Sequence, residues 1–391
     1  SRLQLSGLCF LLQILLIILF ALFVRYNPER SPGLDSQELN CSWRNRDLGL
    51  QPALLVTFLA RYRLGSVATS ILVVAFVIQW AVLIRGFLYS FQNGKIVVGA
   101  QSMVSANLCT MAVLISTGAV LGRINPVQML LMTLLEVTIF TLNEFILLSL
   151  MGVRDSGGSL TVHTFGAYFG LMVSRILHQP RVDGRQEEQD QAQHQNLAVP
   201  LPTGTIYLWI FWPSFTSVPT FCGTTEPWAV LNTHFSLAAS TLATFILSPI
   251  LHEEGMLWMV QLQDATLASV AMMGMAGEML VTPFGALTAG FLAGLVPLLG
   301  SRFLTPFLRS RLKLQDTCGI HNIHGLPGVL GTLLGTLLAA LATADAYGDR
   351  LQVVFPEVAQ GTRTAQGQGL LQLCALPLTL LLATLGGCLT G

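Results

Sequence analysis

Charge is scarce in this chain: only 10% of its 391 residues are Asp, Glu, Lys or Arg, against roughly 25% in ordinary soluble domains. Twenty basic residues balance twenty acidic ones, so no excess charge points to nucleic acid. The seven cysteines (Cys9, Cys41, Cys109, Cys222, Cys318, Cys374, Cys388) include no Cys-x-x-Cys pair. That gives no basis for a zinc or disulfide framework. A Walker-type phosphate loop is missing, which argues against ATP-driven work, and no nucleophile–base pair stands at a recognisable spacing, which argues against an enzyme. Short strands alternating apolar and polar residues are missing too, which argues against a lipid-facing barrel. No small-residue cleavage site follows the first apolar run, Leu8 to Val24, so it reads as a first membrane helix.

What is present is apolar sequence, 52% of the chain, in long continuous runs. A crossing helix needs about 20 mainly apolar residues. Such runs lie near 5–24, 66–90, 96–121, 126–152, 159–178, 204–222, 230–251, 257–279, 282–300, 319–344 and 369–391, with a short candidate at 48–60 that contains Pro52. The expected fold is all-α: a single domain over 1–391, a polytopic bundle of eleven to twelve transmembrane helices. With twelve, the basic stretches around Arg61 and Arg63, Arg123, Arg175 to Arg185, and Arg302 to Lys313 share one side, read as cytoplasmic. The Asn40-Cys41-Ser42 glycosylation sequon then lies outside. The polar stretch 179–203 reads as a cytoplasmic loop between two halves.

Against this apolar background His163 and His324 stand out. An ionisable side chain inside a membrane span is costly and usually faces a bundle interior or a watery path. Each histidine lies eight residues after an aspartate, Asp155 and Asp316 respectively, and each has glycines beside it. Asp155 reads either as a carboxylate at a pore mouth or as a helix cap, and His163 either as a pore residue or as a satisfied core histidine. His321, one turn before His324, opens a metal-site reading, for which three or four ligands are usual. His234 and the embedded carboxylates are the other intramembrane candidates. Glu144 and Glu278 are expected toward the outer ends of their spans, where they either make a mouth negative or pair with amides at helix ends. In the run Trp209 to Phe215, most of the aromatics read as an interfacial belt, with Phe215 as a gate turned inward by Pro213.

The segments Val-Arg-Asp-Ser-Gly-Gly-Ser-Leu-Thr-Val-His-Thr-Phe-Gly-Ala-Tyr-Phe-Gly (153–170), Leu-Trp-Ile-Phe-Trp-Pro-Ser-Phe (208–215), Gln-Asp-Thr-Cys-Gly-Ile-His-Asn-Ile-His-Gly-Leu-Pro-Gly (315–328) and Asn-Glu-Phe-Ile-Leu-Leu (143–148) carry a resemblance. The chain resembles an Rh glycoprotein of the ammonium transporter (Amt/Mep/Rh) superfamily, nearest to its type B members. The resemblance implies a homotrimer in the plasma membrane with a central pore in each subunit. It makes His163 and His324 paired pore histidines, Asp155 the acid of ammonium recruitment or deprotonation, and Phe215 one of two gate aromatics. Glu144, Asp316 and His321 become vestibule or supporting residues, and Asn40 a glycosylation site in the first outer loop. The second gate position is Leu108 here, preceded by Asn107 rather than an acid.

The function this implies is gradient-driven, facilitated passage of ammonia, recruited as ammonium and stripped of its proton, with no cofactor. Besides ammonium, the partners are the lipid bilayer, carbon dioxide as a second candidate substrate, and a cytoskeletal adaptor read by the family's cytoplasmic tail. Two rivals stand beside that reading: a non-conducting Rh-type scaffold or sensor, and a metal transporter using His321 and His324.

Overall fold

A computed structural model describes residues 2–26, 64–178, 205–206, 208–210, 212–213, 228–251 and 259–391. The candidate span 48–60, the polar stretch 179–203, Asn40, Phe215 and most of the run 204–222 lie outside the described residues. Those described form a helical bundle. Long helices follow from the sequence because in a bilayer each backbone N–H and C=O must be satisfied within its own segment.

The elements are α1 (Arg2–Phe23), β1 (Val24–Tyr26), α2 (Leu64–Tyr89), β2 (Phe91–Gln92), β3 (Lys95–Val98), α3 (Ala100–Val120) and α4 (Pro126–Met151). After these come α5 (159–176), α6 (Trp228–Leu251), α7 (Met259–Ala276), α8 (Thr282–Leu312), α9 (His321–Ala340), a run of short helices over 344–359, and α10 (Ala365–Thr390). Eight of the described helices are long and apolar enough to cross a membrane, and α5 and α7 pack among them. Packing sorts the helices by depth: α1 is almost bare, while α3 is covered nearly all round and belongs at the centre.

Two local features depart from the expected spans. The first is a small sheet, in which β3 pairs in parallel with β1 and antiparallel with β2. Asn93 and Gly94 between β2 and β3 both have positive φ, 50° and 77°. This is the hairpin turn that an Asn-Gly pair favours, and it ends α2 ahead of the next helix. The second is α8, which runs through the stretch expected to be a loop after residue 300. It passes a wide turn at Gly300–Leu304 and continues over Thr305–Leu312. Arg302, Arg309 and Arg311 therefore ride on a helix instead of on a coil.

Small residues let the helices approach closely, as expected where van der Waals packing must replace the hydrophobic effect. A methyl added at Gly331 of α9 would meet Met272 O of α7 at 2.3 Å, and one at Gly170 of α5 would meet Ser116 O of α3 at 2.4 Å. Helices α7, α9, α5 and α3 are thereby drawn around one interior. The segment 152–158 entering α5 is tied to α10 by side-chain amides: Gln372 donates to Arg154 O at 2.8 Å and accepts from Arg154 N at 2.8 Å. Gln368 donates to Gly152 O at 3.0 Å. These amides hold α5 in depth and direction.

Candidate functional site: a histidine pair beneath a charged cavity

Each histidine stands on a widened helical turn. His163 belongs to the π-helical stretch Ser159–Thr164 and His324 to His321–Gly325. Turns of this kind recur at functional sites because they re-aim one side chain without ending the helix. The aspartate eight residues before each histidine serves as the start of its helix. Asp155 Oδ2 accepts from Leu160 N at 3.0 Å, Thr161 N at 2.7 Å and Thr161 Oγ1 at 2.9 Å. Asp316 does the same work with both oxygens, Oδ1 accepting from Ile320 N and Oδ2 from His321 N, each at 2.8 Å. Side-chain oxygens are needed there because the first N–H groups of a helix have no partner within it.

The two imidazoles meet in the interior. Their Nδ1 atoms are 3.0 Å apart, the rings lie 15° from parallel with centroids 5.2 Å apart, and both side chains are buried. A hydrogen bond between two nitrogens of the same kind requires one to carry the proton and the other to accept it. For neutral rings, that leaves one Nε2 bare and the other Nε2 protonated. The pair thus presents an acceptor and a donor in a row, suited to a small neutral molecule that can both give and take hydrogen bonds. Among the described residues, His163 Nε2 has no hydrogen-bond partner.

Trp212 lies beside this pair, fully buried with its ring 6.2 Å from that of His163. Most of the aromatic run was expected to form an interfacial belt, and Trp212 is a member that is buried instead. A helix in the interior presents one flank of such a run to its neighbours, which the order of aromatics along the chain does not reveal.

Toward one end of the bundle is a cavity of about 290 Å³ lined by Leu108, Phe140, Glu144, Asp155, Glu278 and Arg85, among others. Leu108 is half-buried there, with a flexible aliphatic side chain where the resemblance implies an aromatic. Asp155 is buried, and its Oδ1 has no hydrogen-bond partner among the described residues. The cation-bearing helix end Thr305–Leu312 is at the other end of the bundle. Glu278 lies in the short link from α7 to α8, and the 18 residues Thr282–Leu299 carry the chain about 27 Å away at 1.5 Å per residue.

Glu144 is not the free acid that a negative mouth calls for. Arg85 of α2 grips it with a fork, Nε to Oε2 at 3.0 Å and Nη2 to Oε1 at 3.3 Å. Reading the sequence missed Arg85. Its position inside the apolar run 66–90 was the available signal, since an arginine within a span calls for a partner.

His321 and His324 face different partners. His324 meets His163, whereas His321 faces Asn322 Oδ1 at 3.2 Å and stands edge-on to the Tyr168 ring. His234 is exposed and bonds Val230 O of its own helix at 2.9 Å. Among the described residues no group of three or more His, Cys, Asp or Glu side chains is arranged to hold a metal.

Residues 54–391 match the model of the Ammonium Transporter Family. The chain is 51% identical to the ammonium transporter Rh type B of Bos taurus and 50% identical to that of Homo sapiens, covering all of this chain and 88% of each relative. Among solved structures, the Rh50 channel of Nitrosomonas europaea is 28% identical and superposes with a TM-score of 0.70 over 90% of this chain and 86% of its own. Saccharomyces cerevisiae Mep2 shares the fold at 14% identity and the same TM-score of 0.70, over 92% of this chain and 88% of its own.

Proposed function

This chain belongs to the ammonium transporter family, and from that premise we propose that it carries ammonia, recruited as ammonium, down its gradient through a lumen lined by His163 and His324. The observation that carries the proposal is the imidazole pair, with Nδ1 atoms 3.0 Å apart and His163 next in the chain to Val162, which lines the cavity with the acids.

An isolated cation entering a narrow apolar passage loses its water at a cost of many kcal/mol. Ammonium avoids that cost by giving up its proton, and the neutral molecule left behind is both a donor and an acceptor. It fits the acceptor-and-donor pattern that two hydrogen-bonded imidazoles offer. Potassium has no proton to give and meets the full desolvation penalty. Asp155 belongs to the recruiting end: Oδ2 is committed to the start of α5, and Oδ1 is left to stabilise a nearby cation before it sheds its proton. Glu144 and Leu108 belong to the same mouth, for which the resemblance supplies Phe215 as a gate, while Asp316 and His321 shape the opposite end.

The reading extends to a single-domain subunit in a plasma-membrane homotrimer. In it the acid-lined cavity faces outward, Asn40 is glycosylated outside, and 179–203 links the halves on the cytoplasmic side. The basic helix end at Arg302, Arg309, Arg311 and Lys313, opposite the cavity, supports that orientation.

The test is stopped-flow measurement of internal pH in proteoliposomes. An inward ammonium gradient should drive a rapid internal alkalinisation, faster than in protein-free vesicles, and an equal potassium gradient should not. Ammonium-driven alkalinisation no faster than in protein-free vesicles would return the chain to a scaffold or sensor role, and zinc uptake without ammonia flux above that baseline to the metal reading.

A further inference from the structure

The mouth of the cavity holds a cation of the protein's own. Arg85 leaves α2 near its end and is held on two sides: its fork lies against both oxygens of Glu144, and its Cζ lies 4.1 Å from the centroid of the Tyr89 ring. The Tyr89 ring is in turn braced edge-on by Phe145 at 5.3 Å. The Glu144 side chain is only 4% exposed and that of Arg85 21%, so the guanidinium is the part of the pair nearer solvent. Both residues line the same cavity as Asp155 and Glu278.

Forked guanidinium–carboxylate pairing and ammonium–carboxylate pairing draw on the same interaction, charge-assisted N–H donation to carboxylate oxygen. A carboxylate whose two oxygens are both taken by an internal arginine is a poor seat for an incoming ammonium ion. A fixed positive charge in a pore mouth also raises the barrier to any cation.

We propose that Arg85 is a specificity-determining residue of this transporter: by occupying Glu144 and adding a positive charge to the vestibule, it sets a low affinity for ammonium and weakens the salt dependence of capture. This rests on the transport reading above. Arg85 acts as a resident competitor for the carboxylate that the mouth would otherwise offer. Capture then falls to Asp155 and Glu278, the other acids in the cavity wall.

The experiment is ammonium-driven flux in proteoliposomes as a function of ammonium concentration, at low and high ionic strength, for wild type, Arg85→Gln, Arg85→Lys, Glu144→Gln and the double variant Arg85→Gln/Glu144→Gln. With the arginine removed, the freed carboxylate should lower the half-saturating ammonium concentration by about tenfold at low salt, the lower end of what charged clefts achieve. The gain should shrink as salt screens it. Glu144→Gln strands the arginine charge and should raise half-saturation severalfold. The double variant should return close to wild type, and Arg85→Lys, which retains the charge, should restore most of the wild-type value.

If Arg85→Gln does not fold, Glu144→Gln alone decides: an unchanged half-saturation and salt dependence overturns the proposal. Conducting wild type with an indistinguishable Arg85→Gln removes this inference only. Wild type that moves no ammonium removes the transport reading, and this inference with it.

Discussion

Asp155 is asked to do two things at once, and two substitutions separate them. Its Oδ2 accepts from Leu160 N, Thr161 N and Thr161 Oγ1 inside the protein, while Oδ1 has no partner among the described residues. Asp155→Ala deletes the acceptor and strands two buried backbone N–H groups; the Thr161 hydroxyl can turn to another acceptor. At about 1–3 kcal/mol for each unsatisfied buried donor, the loss should be about 2–6 kcal/mol. Asp155→Asn leaves a carbonyl oxygen where Oδ2 was. Only the charge assistance is lost, and neutral hydrogen bonds are roughly half as strong as charge-assisted ones, so about 1 kcal/mol should go. Transport should respond differently, because both variants lack the negative charge offered to ammonium.

The assay pairs the midpoint of SDS-induced unfolding in bicelles with ammonium flux in proteoliposomes. We expect Asp155→Asn to be nearly as stable as wild type yet slower by tenfold or more (~1.4 kcal/mol at the barrier), and Asp155→Ala to be impaired in both. Wild-type flux in Asp155→Asn would show that the charge is unnecessary. Wild-type stability in Asp155→Ala would refute the cap.

Three other outcomes are expected. His163→Ala and His324→Ala each remove half of the imidazole pair, the former opening a void beside Trp212; both should alter ammonia conductance or its selectivity over potassium and methylammonium, read by the same flux assay, and unaltered conductance and selectivity in both would count against the histidine-lined path. Gly331→Ala puts a methyl 2.3 Å from Met272 O and should cost about 1–3 kcal/mol by forcing α7 and α9 apart, visible as a lower unfolding midpoint. At the cavity end, partial burial pushes the Glu357 carboxyl up. Hydrogen bonds from the backbone and Arg154, with the charges of Arg154 and Arg363, outweigh that and hold it below its ordinary value of 4.5. Because the folded value is the lower one, the pair's stabilisation is complete above 4.5 and fades as pH falls through the lowered value; unfolding midpoints from pH 7 to pH 3 should drop more in wild type than in Glu357→Gln.

Reading along the chain reached the lipid solvent, the helical class and the histidines, because an ionisable residue in a long apolar run is conspicuous whatever the tertiary fold. The repeated Asp-to-His interval was also visible, and it turned out to mark two helix caps, Asp155 and Asp316. The hairpin at Asn93-Gly94 was legible in principle, but the apolar residues of Lys95–Val98 read equally well as the start of the next span. Such short apolar stretches do not distinguish strand from helix by periodicity.

Only the tertiary structure decided which polar groups face one another. His163 and His324 are 161 residues apart, and Arg85 and Glu144 are 59 apart. Their meeting depends on the rotation and depth of each helix. Those are set by contacts such as Gly331 against Met272 O and by the amide ties from Gln368 and Gln372 to the start of α5, where each partner lies far along the chain from the other. Composition settles that a span must satisfy its own backbone. It leaves open which flank of that span looks inward, since lipid and protein interior are almost equally apolar and only close packing distinguishes them.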